Sequence, residues 1–138
     1  MGNNIERIDV SISIEISVGE LLDKITILEI KSERILDSDK LKNINNELEI
    51  LKKQWKQSSF FIKDIADEIN KLKAINEKLW EIEDEIRDKE RTKSFDQRFI
   101  ELARSVYIKN DERAQVKHAI NKKTGSELIE EKSYSEYN

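Results

Sequence analysis

The sequence predicts a mainly α-helical protein, an antiparallel helical bundle with a long helical hairpin and one N-terminal β-strand. Apolar residues recur at spacings of three and four along most of the chain, which is the period of an amphipathic helix. Proline is absent and glycine occurs 3 times, so little interrupts long helices. One stretch near the N-terminus alternates with a period of two instead. The length of 138 residues suits a single domain.

The alternating stretch predicts a half-buried strand at about residues 7–16. A lone strand leaves its backbone groups unpaired, so it needs a partner strand. Either the same strand of a second subunit or the tail around Glu127–Ile129 could supply one, and we favour a homodimer. The apolar positions of the predicted strand are Ile8, Val10, Ile12, Ile14 and Ile16.

Four helices are expected to follow, with a tail after the last one. Ser17 and Glu20 form a capping box that opens the first helix, and Ser94 and Gln97 form another before the fourth. Gly125 is expected to end the fourth helix. The predicted bounds are about 18–36, 39–57, 61–90 and 95–123 for the helices and 126–138 for the tail.

The second helix carries a narrow apolar seam that is typical of a coiled coil, and we expect it to pair with the third helix in a hairpin. The first helix is apolar on two sides, because Ile27 and Ile30 face away from its main stripe. Such a helix is usually sandwiched in a large core or at a subunit interface. The seam residues are Leu41, Ile44, Leu48, Leu51 and Trp55.

The composition excludes several classes of protein. Charged residues make up 39% of the chain and no apolar run approaches the roughly 20 residues of a membrane-spanning helix. The absence of cysteine excludes disulfides and thiolate zinc sites, and His118 is the single histidine. A net charge of −4 makes nucleic-acid binding unlikely. We see no secretory signal and expect a cytoplasmic protein without a cofactor.

The inward face of the fourth helix changes character halfway along. Its first half is apolar, and the same face then continues through Asn110, Arg113, Lys117 and Asn121. The third helix carries polar residues on the shoulder of its own stripe, and Glu29 occupies a similar position on the first helix. These shoulder residues of the third helix are Asn76, Trp80, Glu83, Arg87 and Glu90.

Two interpretations of this polar face remain open. In the first, Arg113 and Lys117 form a buried ion-pair network with Glu83, Glu90 or Glu29, since buried charges need partners. In the second, the cations line a pocket for an anion such as a phosphate or carboxylate. The predicted ligand-binding residues are Arg104, Tyr107, Asn110, Arg113, Lys117 and Asn121, and the supporting residues are Glu29, Asn76, Trp80, Glu83 and Arg87.

Two weaker patterns point to enzymes. Glu20-x-x-Asp23 and Glu81-x-x-Asp84 have the spacing of carboxylate pairs that hold Mg²⁺ in all-α nucleotide pyrophosphohydrolases. Such pairs also arise by chance in a chain this rich in acids. The stretch Leu21–Ile35 is faintly similar to the first helix of small helical chorismate mutases, which bind a dianion. We predict no metal ligands, and we favour a binding protein over an enzyme.

A combination of short motifs stands out along the chain, at Val18–Lys31, Asn76–Arg87, Phe95–Asp96, Phe99–Tyr107, Asn110–Arg113, Lys117, Ile120–Asn121, Gly125–Ser126 and Glu130–Tyr134. Together these motifs resemble an uncharacterised family of short bacterial helical proteins, a domain of unknown function. The resemblance covers about residues 16–134. It implies no activity, but members of the family often lie near genes for glycosyltransferases and surface polysaccharides, which suggests a sugar-nucleotide or accessory role.

The sequence therefore predicts a binding or accessory protein that recognises a small anionic ligand or a protein partner. A metal-dependent nucleotide or phosphate hydrolase of the all-α type is one alternative. A structural coiled-coil adaptor is the other.

Overall fold

A computed structural model describes residues 10–137 of the chain. It contains four α-helices, which span 71% of those residues. They are α1 (Val18–Arg34), α2 (Ser38–Gln57), α3 (Ala66–Arg91) and α4 (Gln97–Thr124). The all-helical body agrees with the sequence prediction. None of the four helices is long and apolar enough to cross a membrane.

The predicted N-terminal strand is wrong for the part of it that the structure describes. Residues 10–16 form no strand, and the side chains of Val10, Ile12 and Ile14 are 95%, 91% and 73% exposed. An alternating sequence becomes a strand only when a second backbone pairs with it. Leu128 of the tail lies beside Ile16, but the two segments form no ladder. Residues 7–9 of the prediction lie outside the described part of the chain.

The helix termini follow local capping chemistry, and several of them shift from the predicted bounds. The Ser17 side chain accepts a hydrogen bond from the Glu20 N–H at 3.1 Å, as expected for the cap of α1. The cap of α4 is Asp96 rather than Ser94, because the Asp96 carboxylate accepts from the Phe99 N–H. Helix α3 begins at Ala66, later than predicted, since residues 58–63 form turns and bends.

The end of α4 is a Schellman motif centred on Gly125. This glycine has φ of 72°, in the left-handed region that glycine adopts without a steric penalty. The Gly125 N–H donates to the Lys122 carbonyl and the Ser126 N–H donates to the Asn121 carbonyl. The motif turns the chain back, so that Ser126 reaches the beginning of α1.

Helix α1 lies at the centre of the fold and packs against each of the other three helices. This arrangement explains why its sequence is apolar on two sides. The predicted hairpin of the second and third helices is wrong, because α2 packs on α1 and its backbone does not approach α3. The long hairpin is instead formed by α3 and α4. The predicted homodimer stays a prediction, because the structure describes a single chain. Residues 10–16 do not form the strand that was expected to be its interface.

The register of the antiparallel α3–α4 hairpin is marked by ion pairs along its length. Arg98 binds Glu85 at 2.6 Å near the connecting turn, and Lys123 binds Glu68 at the opposite end. The Arg98–Glu85 pair is exposed and stabilises little by itself, whereas the Glu68 side chain is largely buried, and both pairs are consistent with a single register. The main core lies where α1 meets the other helices, and its buried residues are Val18, Leu22, Ile25, Leu28, Leu48, Ile65, Leu72 and Ile120.

The first turn of α1 lies directly against the backbone of α4. A Cβ placed on Gly19 would come within 2.7 Å of the Lys117 carbonyl oxygen and 3.0 Å of the Asn121 side-chain oxygen. Only a residue without a side chain allows this approach. The close contact holds the polar half of α4 against the start of α1.

Candidate functional site

The main candidate site is a cleft of about 480 Å³ between α1, α3 and α4. Its apolar surface comes from Ile27, Ile30, Leu79 and Trp80. A cleft with an apolar surface and a few convergent polar groups is the usual form of a small-molecule site. The polar groups that line it are Asn76, Glu83, Asp84, Arg87, Asn110 and Arg113.

Arg113 is the cation of this cleft that has no carboxylate partner among residues 10–137. Its guanidinium donates to the side-chain oxygen of Asn76 at 3.3 Å, and the side chain is partly buried. The other guanidinium, that of Arg87, binds the Glu83 carboxylate one helical turn earlier. The two arginines therefore differ, since the charge of Arg87 is balanced within the cleft wall and that of Arg113 is not.

Asn76 is fixed by a directional hydrogen-bond network. Its amide nitrogen donates to the Asp23 carboxylate at 2.8 Å and to the Thr26 hydroxyl at 3.0 Å. The Thr26 hydroxyl donates its own hydrogen to the Asp23 carbonyl, so it can only accept from Asn76. With both amide hydrogens used, the Asn76 oxygen must face Arg113. A neutral oxygen orients the guanidinium without cancelling its charge.

Lys117 belongs to a different environment, a cluster of carboxylates at the start of α1. Its ammonium group lies 2.6 Å from Glu20, 3.4 Å from Asp23 and 3.4 Å from Glu130. The side chain is 13% exposed. Burial alone would lower the pKa of Lys117, but the hydrogen bond that its ammonium group donates to Glu20 and the charges of the three acids together raise it above its usual value.

The two interpretations of the polar face therefore apply to different residues. Lys117 lies in an ion-pair network, whereas Arg113 lines a cleft. The acids expected to partner them have other contacts, because Glu29 binds Lys73, Glu83 binds Arg87 and Glu90 binds Lys93. Glu29, which was predicted as a supporting residue, therefore forms no ion pair with Arg113 or Lys117.

Asn121 contributes to structure at the first turn of α1. Its side-chain oxygen accepts from the Gly19 N–H at 2.7 Å, and the Ser126 hydroxyl accepts from the Val18 N–H at 3.2 Å. Together with Ser17, these side chains satisfy three N–H groups that a helix leaves free at its N-terminus. The Asn121 oxygen that the sequence assigned to a ligand is thus already bound to the protein.

We therefore expect Asn121→Ala to lower the free energy of unfolding by about 2 kcal/mol, since it leaves the buried Gly19 N–H without an acceptor. Urea denaturation followed by circular dichroism would measure the loss. Asn110→Ala on the same helix is the control and should change stability little. Unchanged stability in Asn121→Ala would contradict the capping role.

Tyr107 and Arg104 lie away from the cleft. The Tyr107 ring makes an edge-on contact with the ring of Tyr137, with centroids 5.2 Å apart, so it anchors the tail. The Tyr137 hydroxyl bonds Asp111, and this bond raises the pKa of Tyr137. Arg104 is exposed and forms no ion pair with the described residues. The structure therefore does not bring these two residues together with Arg113.

A second, smaller cleft of about 340 Å³ lies between α4 and the tail. Lys117 and Asn121 line it, together with His118, Glu130 and Lys132. His118 is partly exposed and lies 3.9 Å from Glu131. Of the predicted ligand-binding residues, Asn110 and Arg113 thus line the larger cleft and Lys117 and Asn121 the smaller one, whereas Arg104 and Tyr107 line neither.

Three of the four acids with the spacing of a magnesium site contact cations of the protein. Glu20 and Asp23 both contact Lys117, and Glu81 lies near Arg34 and Lys78. Within residues 10–137, no three acids or histidines come close enough together to hold a metal ion.

Sequence reasoning identified the polar residues of the cleft better than its apolar ones. Asn76, Trp80, Glu83 and Arg87 were predicted as supporting residues, and all line the cleft beside Arg113. The prediction did not include the apolar residues of the cleft, although the second apolar side of α1 could have indicated them. It also missed the buried network of Asp23 and Thr26, which only the packing of α1 on α3 reveals.

Comparisons with known proteins identify a family but no function. Residues 12–137 match the model of a family described as "Family of unknown function (DUF6165)". Searches of curated proteins and of solved structures found no match. The match spans most of the chain and includes all four helices. The chain therefore belongs to this family of unknown function, as its resemblance to an uncharacterised family predicted.

Proposed function

We propose that this protein binds a small anionic ligand in the larger cleft, and that Arg113 holds the phosphate or carboxylate group. The observation that carries the proposal is the contrast between the two arginines of the cleft. Glu83 neutralises Arg87, whereas Arg113 contacts the neutral oxygen of Asn76 and no carboxylate of the described chain.

The charge of Arg113 supports an anionic ligand on energetic grounds. A guanidinium stays protonated at every physiological pH, and a partly buried cation without a counter-ion is costly. Arginine also presents parallel N–H groups that match the oxygens of a phosphate or carboxylate. An anion in the cleft would supply the missing counter-ion and use the N–H groups that Asn76 leaves free.

The cleft has room for more than a simple ion. Its volume of about 480 Å³ lies within the usual range for small-molecule sites. The resemblance noted from the sequence, with its link to glycosyltransferase genes, favours a sugar-nucleotide ligand within this class. No contact in the described chain specifically favours the hydrolase or the coiled-coil adaptor.

The proposal predicts that millimolar inorganic phosphate, citrate or a sugar nucleotide such as UDP-glucose raises the melting temperature of the protein. A ligand that binds only the folded state stabilises it by mass action. Arg113→Ala should abolish the increase while the variant stays folded, because it removes the group that holds the anion. Differential scanning fluorimetry measures the shift, and circular dichroism verifies the fold.

Arg104→Ala is the matched control, since it removes an exposed arginine from the same helix. It should bind each anion as the wild type does. An equal loss of response in both variants would indicate a general charge effect and contradict the proposal. The absence of any response in the wild type would also contradict it.

A further inference from the structure

We propose that the anion held by Arg113 is joined to a flat ring that stacks on Trp80 and carries a hydrogen-bond donor directed at Asp84. A nucleoside monophosphate has this combination of groups. The inference rests on the proposed function, because it assumes that Arg113 holds the anion, and it adds the rest of the ligand.

The first support is the order of the lining residues along α3. Asn76, Trp80 and Asp84 follow one another at intervals of four residues, so they lie on one face of the helix. At 1.5 Å per residue, successive members are about 6 Å apart along the axis. The anion end, the ring platform and the carboxylate are therefore arranged in a line, with Trp80 in the middle.

The second support is the environment of Trp80. Its side chain is partly buried in the cleft wall, next to Ile27, Ile30 and Leu79. The aromatic pairs found in the described chain join other residues, so no protein ring occupies the face of this indole. An indole beside an apolar surface is a good stacking platform for a flat ring.

The third support is the contrast between two neighbouring acids at the far end of the cleft. Glu83 is bound by Arg87, so its acceptor capacity is partly used. Asp84 lines the same cleft and forms no ion pair with residues 10–137. A carboxylate can only accept hydrogen bonds, so Asp84 suits an amine or hydroxyl on the ligand. The cleft thus offers an unbalanced cation at one end and an unbalanced anion at the other.

Isothermal titration calorimetry with three related phosphates would test the inference. Ribose 5-phosphate has the anion without the ring, purine riboside 5′-phosphate adds the ring, and AMP adds an exocyclic amine. We expect purine riboside 5′-phosphate to bind about tenfold more tightly than ribose 5-phosphate, from base–aromatic stacking. AMP should bind more tightly again.

Variants assign each gain to one residue. Trp80→Leu should remove the gain in affinity that the ring provides. Trp80→Phe should keep part of that gain, which would show that the loss in Trp80→Leu is not due to a disrupted fold. Asp84→Ala should remove the advantage of the amine and leave that of the ring. Arg113→Ala should abolish binding of all three phosphates.

The outcomes separate this inference from the proposed function. If all three phosphates bind equally and their binding depends on Arg113, the ring and the hydrogen-bond donor proposed for the ligand are wrong. The proposal that the cleft binds an anion then stands. If the advantage of the ring persists in Trp80→Leu, the stacking platform is wrong. If none of the phosphates binds but citrate depends on Arg113, the nucleotide-like ligand is wrong and a carboxylate ligand stands. If no anion binds, both proposals are wrong.

Discussion

Lys117→Met is expected to lower the free energy of unfolding by about 3 kcal/mol, because it leaves three carboxylates without their shared cation. The Asp23 side chain is 7% exposed, so its charge cannot be hydrated in place of the lost ion pair. Glu20 and Glu130 would in addition repel each other and Asp23. Chemical denaturation at neutral pH measures the change.

Two further variants test this explanation. Lys109→Met removes a lysine of α4 whose partner is Glu112 at the surface, and it should cost less than about 1 kcal/mol. Adding Asp23→Asn to Lys117→Met should restore part of the lost stability, because it removes the buried charge and keeps an oxygen for Asn76. A double variant no more stable than Lys117→Met would contradict the electrostatic explanation.

The pH dependence of the stability of the wild type and of Lys117→Met gives an independent test. The folded state raises the pKa of Lys117 above its usual value of 10.5, so its contribution to stability is complete below that pH. The contribution is lost as the pH rises through the folded pKa. The stability difference between wild type and Lys117→Met should therefore persist from neutral pH up to that value and shrink in strongly alkaline solution. Taking the difference cancels the titration of Lys73 and Lys123, whose pKa values are also raised.

Gly19→Ala is expected to destabilise the fold by about 2 kcal/mol, although alanine normally favours a helix over glycine. The new Cβ would lie 2.7 Å from the Lys117 carbonyl oxygen, and a backbone atom cannot swing aside as a side chain can. Moving α1 outwards would lengthen the Gly19–Asn121 hydrogen bond and disturb the Lys117 cluster. Thermal and urea denaturation both measure the effect.

Gly125 provides the matched control for Gly19. Glycine is favoured at position 125 by the backbone conformation, whereas at position 19 it is required because there is no space for a side chain. A Cβ on Gly125 meets no atom within 4 Å, but φ is 72°. Gly125→Asn should therefore retain most of the stability, since asparagine tolerates the left-handed conformation. Gly19→Asn should be at least as damaging as Gly19→Ala. Equal effects of asparagine at both positions would contradict the close approach of α1 and α4.

The sequence by itself determined the helical class, the helix that is apolar on two sides and the polar residues of α3 and α4. Each of these features depends on the spacing of residues within one helix, which can be read from a short stretch of the sequence. Periodicity says which residues share a face and not which helix lies opposite. For this reason the paired helices were predicted wrongly, as α2 with α3, whereas α1 takes the central position.

Only the tertiary structure decided the separate roles of Arg113, Lys117 and Asn121. The three residues share one face of α4, so the sequence treats them alike. Their environments differ because α1 crosses that face and covers Lys117 and Asn121, and the start of α1 supplies Glu20, Asp23 and the Gly19 N–H. Arg113 lies beyond the crossing and meets the neutral oxygen of Asn76. The strand, too, needed a partner backbone that residues 10–137 do not provide.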